Sequence, residues 1–217
     1  MRVMCFGDSN TFGTPPHAEA PVARYDAMDR WPRVMAEALG CEVVEEGLPG
    51  RTTDLADPTL PEISGAGMDG AAYLPAALAS HLPLDWVVIL LGSNDMKAMY
   101  RRSPLRIALG AARLVDIAQS IGGGVGTPYA SPRVLLLCPP PLGRMTYFSE
   151  VFADAQVKAR ALPPMYAAMA QAAGCAFMDC GTVIATDGED GLHWTASTQR
   201  RLGAAVAERL RAMADTA

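Results

Sequence analysis

Five short apolar runs alternate with helical patterns along the chain, and this alternation constrains the fold more than any other feature. The third run (DWVVILLG) is apolar almost throughout, which is typical of a strand buried on both faces of a parallel sheet. Strands that alternate with helices pair in parallel and place helices on both faces of the sheet. The pattern predicts a flavodoxin-like three-layer α/β/α sandwich with strand order 2-1-3-4-5. The five predicted strands are 2–6, 41–47, 85–92, 133–138 and 175–181.

Five stretches between or after these runs have the spacing of amphipathic or buried helices. We expect Pro75 to lie in the first turn of its helix, where the missing amide hydrogen costs nothing. Pro163 and Pro164 fall in the middle of a longer pattern and are expected to divide or kink that helix. The predicted helices are 29–40, 71–82, 103–123, 154–174 and 197–214.

Composition narrows the class of protein. The chain has 217 residues, half of them hydrophobic, which predicts one domain over 1–217. Its net charge of −5 and the absence of a basic run argue against a nucleic-acid partner. No stretch is long and apolar enough for a membrane span, and MRVMCF meets Gly-Asp too early for a signal peptide. Five scattered cysteines without C-x-x-C spacing favour buried thiols, so we predict a cytoplasmic protein.

Small and polar residues follow the predicted strands at the points where ligands bind in open parallel sheets. Ser9 follows the first strand in Gly-Asp-Ser, Gly50 follows the second in GLPGRTT, and Asn94 follows the third in GSND. Asp190 and His193 come after the fifth strand in DGEDGLHW. Because the predicted order places the first strand between the second and third, Gly50 and Asn94 are expected to flank Ser9.

This arrangement is what acyl transfer requires. A serine hydroxyl attacks a carbonyl, and the donors must already surround the oxygen that becomes an anion. The backbone N–H groups of Ser9 and Gly50 and the side-chain amide of Asn94 are candidates for this oxyanion hole. His193 is the candidate base, and Asp190, three residues earlier, is placed to hold its Nδ1 proton.

Each motif has a simpler explanation when it is taken alone. Gly-Asp-Ser is a common strand-to-loop turn, G-x-N-D an ordinary Asx turn, and D-x-x-H a surface cap. Asp8 and Asp95 are expected to bond loop amides, although a pair of glycosidase carboxylates stays an alternative. The GGGVG segment at 122–126 lacks a Gly-Lys-Ser/Thr ending and favours a flexible connection over a phosphate loop. No metal is expected because His193 has no second histidine nearby, and no cofactor is expected either.

Taken together, the motifs resemble those of the SGNH hydrolases, which are also called GDSL esterases. The resemblance rests on FGDSNTFG, EEGLPGRTT, LLGSNDMK and DGEDGLHW, and it extends over nearly the whole chain. It implies that Ser9 is the nucleophile, Gly50 and Asn94 complete the oxyanion hole, and His193 and Asp190 are base and orienting acid. Substrate contacts are expected from Asn10, Phe12 and Ser93.

A closer resemblance is to the bacterial arylesterase/acyltransferase branch, carried by ASHLPLDWVVILLGSNDMKA, GGVGTPY, VLLLCPPPL and VIATDGEDGLHWT. It implies cleavage of aryl and short-chain esters and acyl transfer to alcohols or peroxide. It also implies a homo-oligomer, which is an octamer in that branch. We take the loops 53–70 and 139–150 as candidate interfaces. The chain departs from the branch at Asn10, where leucine is usual. Phe12 and Thr14 replace larger indoles, and Gly50 replaces alanine. With these residues the mouth of the expected substrate pocket is more polar and less aromatic, which favours hydrolysis over acyl transfer.

Three hypotheses follow. The first is a serine esterase that transfers the acyl group of a small ester to water or an alcohol. The second is a carbohydrate-ester or thioester hydrolase that uses the same triad. The third is a non-catalytic scaffold, against which the four intact motifs argue.

Overall fold

A parallel five-stranded sheet forms the centre of the computed structural model, which describes residues 1–17, 23–59, 63–121, 124–126 and 128–214. The strand order is β2-β1-β3-β4-β5, as predicted. The flavodoxin-like α/β architecture expected from the sequence is therefore confirmed. The strands are β1 (Arg2–Gly7), β2 (Glu42–Gly47), β3 (Trp86–Leu90), β4 (Arg133–Cys138) and β5 (Ala176–Asp179).

Helices cover both faces of the sheet. They are α1 (Ser9–Phe12), α2 (Trp31–Leu39), α3 (Gly70–His81), α4 (Pro104–Ser120), α5 (Ala155–Ala173) and α6 (Ala196–Ala214). Helices α3, α4 and α5 share one apolar cluster with the sheet, and α2 and α6 share the other. Among the described residues, no helix combines the length and apolar character needed to cross a membrane.

The alternating side chains of β3 explain why this strand is apolar along its whole length. Val87 and Ile89 belong to the cluster under α3, α4 and α5, whereas Trp86, Val88 and Leu90 belong to the cluster under α2 and α6. Successive side chains of a strand point to opposite faces, so a strand covered on both sides has no position for a polar residue.

The register of the sheet places the carboxyl ends of three strands side by side. Gly7 of β1 pairs with Gly47 of β2 and with Leu90 of β3. The segments that follow these strands therefore leave the sheet at one rim, which is where the sequence motifs lie.

The helices differ from expectation at their prolines. Helix α3 begins at Gly70, capped by Asp69, whose side chain accepts a hydrogen bond from the amide of Ala72. Pro75 is therefore the sixth residue of α3 and not in its first turn, so that prediction is wrong. Pro163 and Pro164 lie inside α5, which is continuous, so they do not divide the helix, and a kink there stays a prediction. The predicted interface 53–70 and the segment GGGVG are described only in part, since 60–62 and 122–123 lie outside the described residues.

Candidate active site

Ser9 is the first residue of the short helix α1, which follows β1 directly. Its amide is at a helix N-terminus, where N–H groups have no acceptor within the helix. Asp8 caps the helix, and its Oδ1 accepts a hydrogen bond from the amide of Asn10 at 3.0 Å. The close approach of α1 to β2 requires a glycine at Gly47, because a Cβ there would overlap the backbone nitrogen of Phe12.

Three side chains form one hydrogen-bonded chain at this rim. The Nε2 atom of His193 is 3.0 Å from Oγ of Ser9, and its Nδ1 atom is 2.7 Å from Oδ2 of Asp190. A carboxylate accepts hydrogen bonds, so Nδ1 carries the proton and Nε2 has a free lone pair facing the hydroxyl. All three residues are buried, Ser9 with 6% and His193 with 4% of their surface exposed. The geometry is that of a nucleophile paired with a general base.

The turn that carries Asp190 holds its carboxylate in place. Oδ1 accepts hydrogen bonds from the amides of Leu192 and His193, both at 2.9 Å, and Oδ2 accepts one from the amide of His17 at 3.2 Å. Burial acts to raise the pKa of Asp190, but the hydrogen bonds from the His193 ring and from the amides of His193 and Leu192 hold the pKa well below its usual range. Asp190 is therefore ionised at neutral pH and favours the Nδ1-protonated ring.

Gly50 and Asn94 lie on either side of Ser9, as the strand order predicts, and all three residues line one cavity. Gly50 has a φ of 88°, a left-handed conformation that glycine adopts without strain. Asn94 opens the 3₁₀ turn after β3, and its Nδ2 donates to the carbonyl oxygen of Arg51 at 3.1 Å. This bond and a longer one from Nδ2 to Oδ2 of Asp8, at 3.5 Å, fix the orientation of the amide beside Ser9.

A buried acid joins the two loops that carry these donors. Oδ2 of Asp95 accepts from the amide of Thr53 at 2.9 Å, and Oδ1 accepts from the Thr53 hydroxyl at 2.5 Å and from Arg102 at 2.7 Å. Asp8 and Asp95 thus bond loop amides, which agrees with the structural role expected for both.

Asp8 is buried beside the nucleophile, and its Oδ2 is 3.5 Å from Nδ2 of Asn94. Burial raises the pKa of Asp8 from 3.8 to about 7, an effect that Asp95 reinforces and that the Asn10 amide and Arg51 oppose. The folded protein therefore holds one proton more than the unfolded chain between pH 4 and pH 7. The stability that this proton provides is complete below pH 4 and is lost as the pH rises through 7.

Replacement of Asp8 by asparagine should remove this pH dependence, because the amide does not titrate while its Oδ1 still accepts from Asn10. Between pH 5 and pH 8, we expect the free energy of unfolding of D8N to rise by about 2 kcal/mol relative to that of the parent protein. Urea unfolding at the two pH values measures this difference, and groups common to both proteins cancel. A constant difference would show that Asp8 is ionised throughout.

A cavity of about 450 Å³ opens onto the triad. This is within the range of volumes that pockets for small molecules occupy. Apolar side chains form most of its wall: Phe12, Pro49, Phe148, Val151, Phe152 and Leu192. Polar groups are contributed by Thr14, His17, Thr59 and Lys97 in addition to Ser9, Asn94 and His193. The cavity can hold an ester with its carbonyl at Ser9 and an apolar group against the aromatic rings.

The predicted substrate contacts are only partly placed at this cavity. Phe12 lines it, but Asn10 and Ser93 do not. Asn10 is buried, and its side-chain amide donates to the carbonyl oxygen of Leu192 at 3.2 Å. This bond ties Asn10 to the loop that carries His193. Side chains on successive residues of α1 point in different directions, so Ser9 lines the cavity and Asn10 does not. Ser93 is buried at the start of the 3₁₀ turn. The structure does not support a substrate contact for either residue.

Several cavity residues were not identified from the sequence. Lys97 is buried, and its Nζ is 2.6 Å from Oδ2 of Asp57, which is also buried. Burial acts to raise the pKa of Asp57, but the bonds from Lys97 and Thr59 lower it to about 2. Phe148 packs edge-on against the ring of His17. Lys97 is the last residue of the LLGSNDMK motif, whereas Asp57 and Phe148 belong to no motif and come from loops whose paths a single sequence does not reveal.

His17 departs most from expectation. Its ring centroid is 5.0 Å from that of His193. The argument that His193 has no second histidine nearby holds along the chain but is wrong in space. One potential ligand atom from each of His17, Asp190 and His193 lies within 4.8 Å of the other two, a group that could hold a metal ion.

Comparisons with known proteins agree with this geometry. The model of the GDSL-like lipase/acylhydrolase family matches residues 5–211. Est24, a carbohydrate acetylesterase from Sinorhizobium meliloti, is 44% identical, with a TM-score of 0.93 over 98% of this chain and 99% of that one. The aryl esterase of M. smegmatis is 46% identical, with a TM-score of 0.92 over 97% and 98% of the two chains. A search of the curated proteins found no match.

Proposed function

Because the chain belongs to the GDSL-like lipase/acylhydrolase family and is a carboxylic ester hydrolase, we propose that it cleaves short-chain or aryl esters through an acyl-enzyme on Ser9. The observation that carries this proposal is the hydrogen-bonded chain from Ser9 through His193 to Asp190 at the floor of a largely apolar cavity. The roles of these residues are inferred from their distances and from the chemistry of their side chains.

The reaction begins when Oγ of Ser9 attacks the ester carbonyl and Nε2 of His193 takes the hydroxyl proton. The imidazolium that forms donates both N–H groups, and the ionised carboxylate of Asp190 stabilises its charge. The carbonyl oxygen becomes an anion between the amides of Ser9 and Gly50 and the side chain of Asn94. His193 then protonates the leaving alcohol, whose oxygen departs as the acyl-enzyme forms.

Deacylation repeats these steps with a second nucleophile. His193 takes a proton from a water molecule, which attacks the acyl carbon and releases Ser9 and a carboxylic acid. An alcohol or a peroxide in place of water would give acyl transfer. We favour hydrolysis because Thr14 lines the cavity at a position where the resemblance implies an indole side chain. Threonine is smaller and more polar than an indole, and a more polar cavity favours water as the nucleophile.

The alcohol part of the substrate has two candidates. The apolar walls formed by Phe12, Phe148 and Phe152 fit an aryl group, which stacks on aromatic rings. The polar groups of Lys97 and Thr59 fit the hydroxyls of a sugar, and Est24 supports this second candidate, since it is described as a carbohydrate acetylesterase.

Rates on a matched panel of esters distinguish these candidates. The panel contains phenyl acetate, an acetylated monosaccharide, an acetyl thioester, and phenyl esters of longer acyl chains. We expect the highest kcat/KM on phenyl acetate, with a decrease as the acyl chain lengthens. A preference of at least about tenfold for the acetylated sugar, equivalent to about 1.4 kcal/mol in transition-state binding, would favour the carbohydrate acetylesterase instead.

We further propose that the 217 residues act as one catalytic domain, since the family match spans nearly all of them. Tyr147, in the predicted interface 139–150, and the neighbouring Val151 expose much of their surface, which supports assembly into a homo-oligomer such as an octamer. The five cysteines are all free thiols, and this supports a cytoplasmic location.

A further inference from the structure

A second imidazole lies against the proposed catalytic base without a role in the reaction. The Nδ1 atom of His17 is 3.9 Å from Oδ2 of Asp190, and the same oxygen is 2.7 Å from Nδ1 of His193. The ring of His17 lines the cavity, and its Nδ1 atom is 3.1 Å from the carbonyl oxygen of Pro15. Rotation of the ring would exchange the contact with Pro15 for another partner and leave the backbone bond from the His17 amide to Asp190 intact.

These three residues form a set of donors that suits zinc. Two imidazole nitrogens and one carboxylate oxygen, with a fourth position open to water, are a ligand set that zinc sites use. Ligand atoms bound at about 2.0–2.1 Å to a tetrahedral ion lie roughly 3.3 Å from one another. Oδ2 of Asp190 is 2.7 Å and 3.9 Å from the two imidazole nitrogens, and the three ligand atoms all lie within 4.8 Å of one another, so side-chain rotations can bring them to this spacing. The cavity offers an entry path and room for the fourth ligand.

We propose that this protein binds one Zn²⁺ ion at His17, Asp190 and His193, and that the bound ion reversibly inhibits the esterase. The site does not suit Mg²⁺ or Ca²⁺, because these ions prefer ligand sets made mainly of oxygen atoms. The buried carboxylate supplies one negative charge toward the ion.

Inhibition follows from the protons of the His193 ring. If zinc binds Nδ1, the single proton of the neutral ring moves from Nδ1 to Nε2 by exchange with solvent, with no net release, and Nε2 then has no free lone pair. If zinc binds Nε2, it occupies the lone pair directly. In both cases His193 can no longer accept the proton of Ser9. The inhibitory part of the proposal rests on the proposed function, whereas the binding of zinc does not.

Calorimetric titration of the full-length, tag-free protein, stripped of metal with a chelator, tests the binding directly. We expect one Zn²⁺ per chain and no heat from Mg²⁺. H17F, which keeps a ring against Phe148, and H17Q should each weaken zinc binding by more than about 10-fold, the least that loss of an outer-shell partner costs, because each removes a direct ligand. H81F is the matched control, because His81 binds Glu46 and does not line the cavity, and it should retain the affinity of the parent protein.

Two results would overturn the binding. One is zinc affinity that is the same in H17F and H17Q as in the parent protein. The other is a cobalt-substituted protein with thiolate-to-metal absorption, which would place the ion at the cysteines.

The rate at which a fluorophosphonate modifies Ser9 tests the inhibition. Zinc should slow this reaction, a chelator should restore it, and H17F should require at least tenfold more zinc for half-inhibition. Zinc that binds through His17 but leaves the rate unchanged contradicts the inhibition. A protein that binds zinc through His17 yet hydrolyses no ester would contradict the proposed function and support the metal site.

Discussion

Replacement of Ser9 by alanine is expected to lower kcat on phenyl acetate by about a million-fold, because removal of a nucleophile abolishes the acyl-enzyme route. The hydroxyl accounts for this effect, since it is the group that Nε2 of His193 faces at 3.0 Å. The cavity and the oxyanion donors stay in place, so substrate binding should change little. Steady-state rates of the purified variant, with residual activity measured at high enzyme concentration, give the ratio.

The control for this variant is S80A, which removes a hydroxyl from an exposed position on α3 and should leave the rate unchanged. Thermal unfolding of both variants excludes a folding defect as the cause of the loss. An S9A enzyme that keeps a tenth or more of the parent rate would show that another group attacks the ester.

The change D190N should lower kcat by about 10,000-fold. Oδ1 of the asparagine can still accept from the amides of Leu192 and His193, and so the turn is kept. The asparagine Nδ2 then takes the place of Oδ2 and donates an N–H to Nδ1 of His193. This favours the tautomer of His193 that carries its proton on Nε2. That tautomer cannot accept the proton of Ser9. Phenyl acetate turnover measures the loss.

D187N is the matched control for this prediction, because Asp187 is an acid of the same loop that accepts hydrogen bonds from Thr195 and Thr198 and does not contact the triad. Its kcat should stay within about threefold of that of the parent protein, since a surface substitution away from the site changes little. A D190N enzyme as active as D187N would mean that Asp190 does not orient the base.

The sequence predicts the sheet and the meeting of Ser9, His193 and Asp190 at its rim because both depend on local patterns. Buried strands of a parallel sheet are apolar throughout, as Trp86–Leu90 shows, and their order follows from the rules for crossover connections. Ser9, Gly50 and Asn94 each lie within four positions of the end of a strand, so their placement depends little on long loops. Asp190 and His193 are three residues apart, and a single turn fixes their geometry.

The cavity wall could not be predicted in the same way. His17, Phe148 and Phe152 lie in segments without periodicity, and only tertiary contacts bring them to one place. His17 and His193 are 176 positions apart in the sequence. The hydrogen bond from the His17 amide to Asp190 brings the two histidines together. Asn10 shows the opposite error, because adjacency to Ser9 in the sequence does not imply a side chain in the cavity.

The position of a covalent label tests the central claim most directly, which is that Ser9 is the nucleophile activated by His193. The intact protein is treated with a fluorophosphonate, and the modified peptide is identified by mass spectrometry. We expect one label per chain, on the peptide that contains Ser9, and a rate of labelling that falls by at least about a thousandfold in H193A. A label on any other residue, or equal labelling in H193A, would contradict the account.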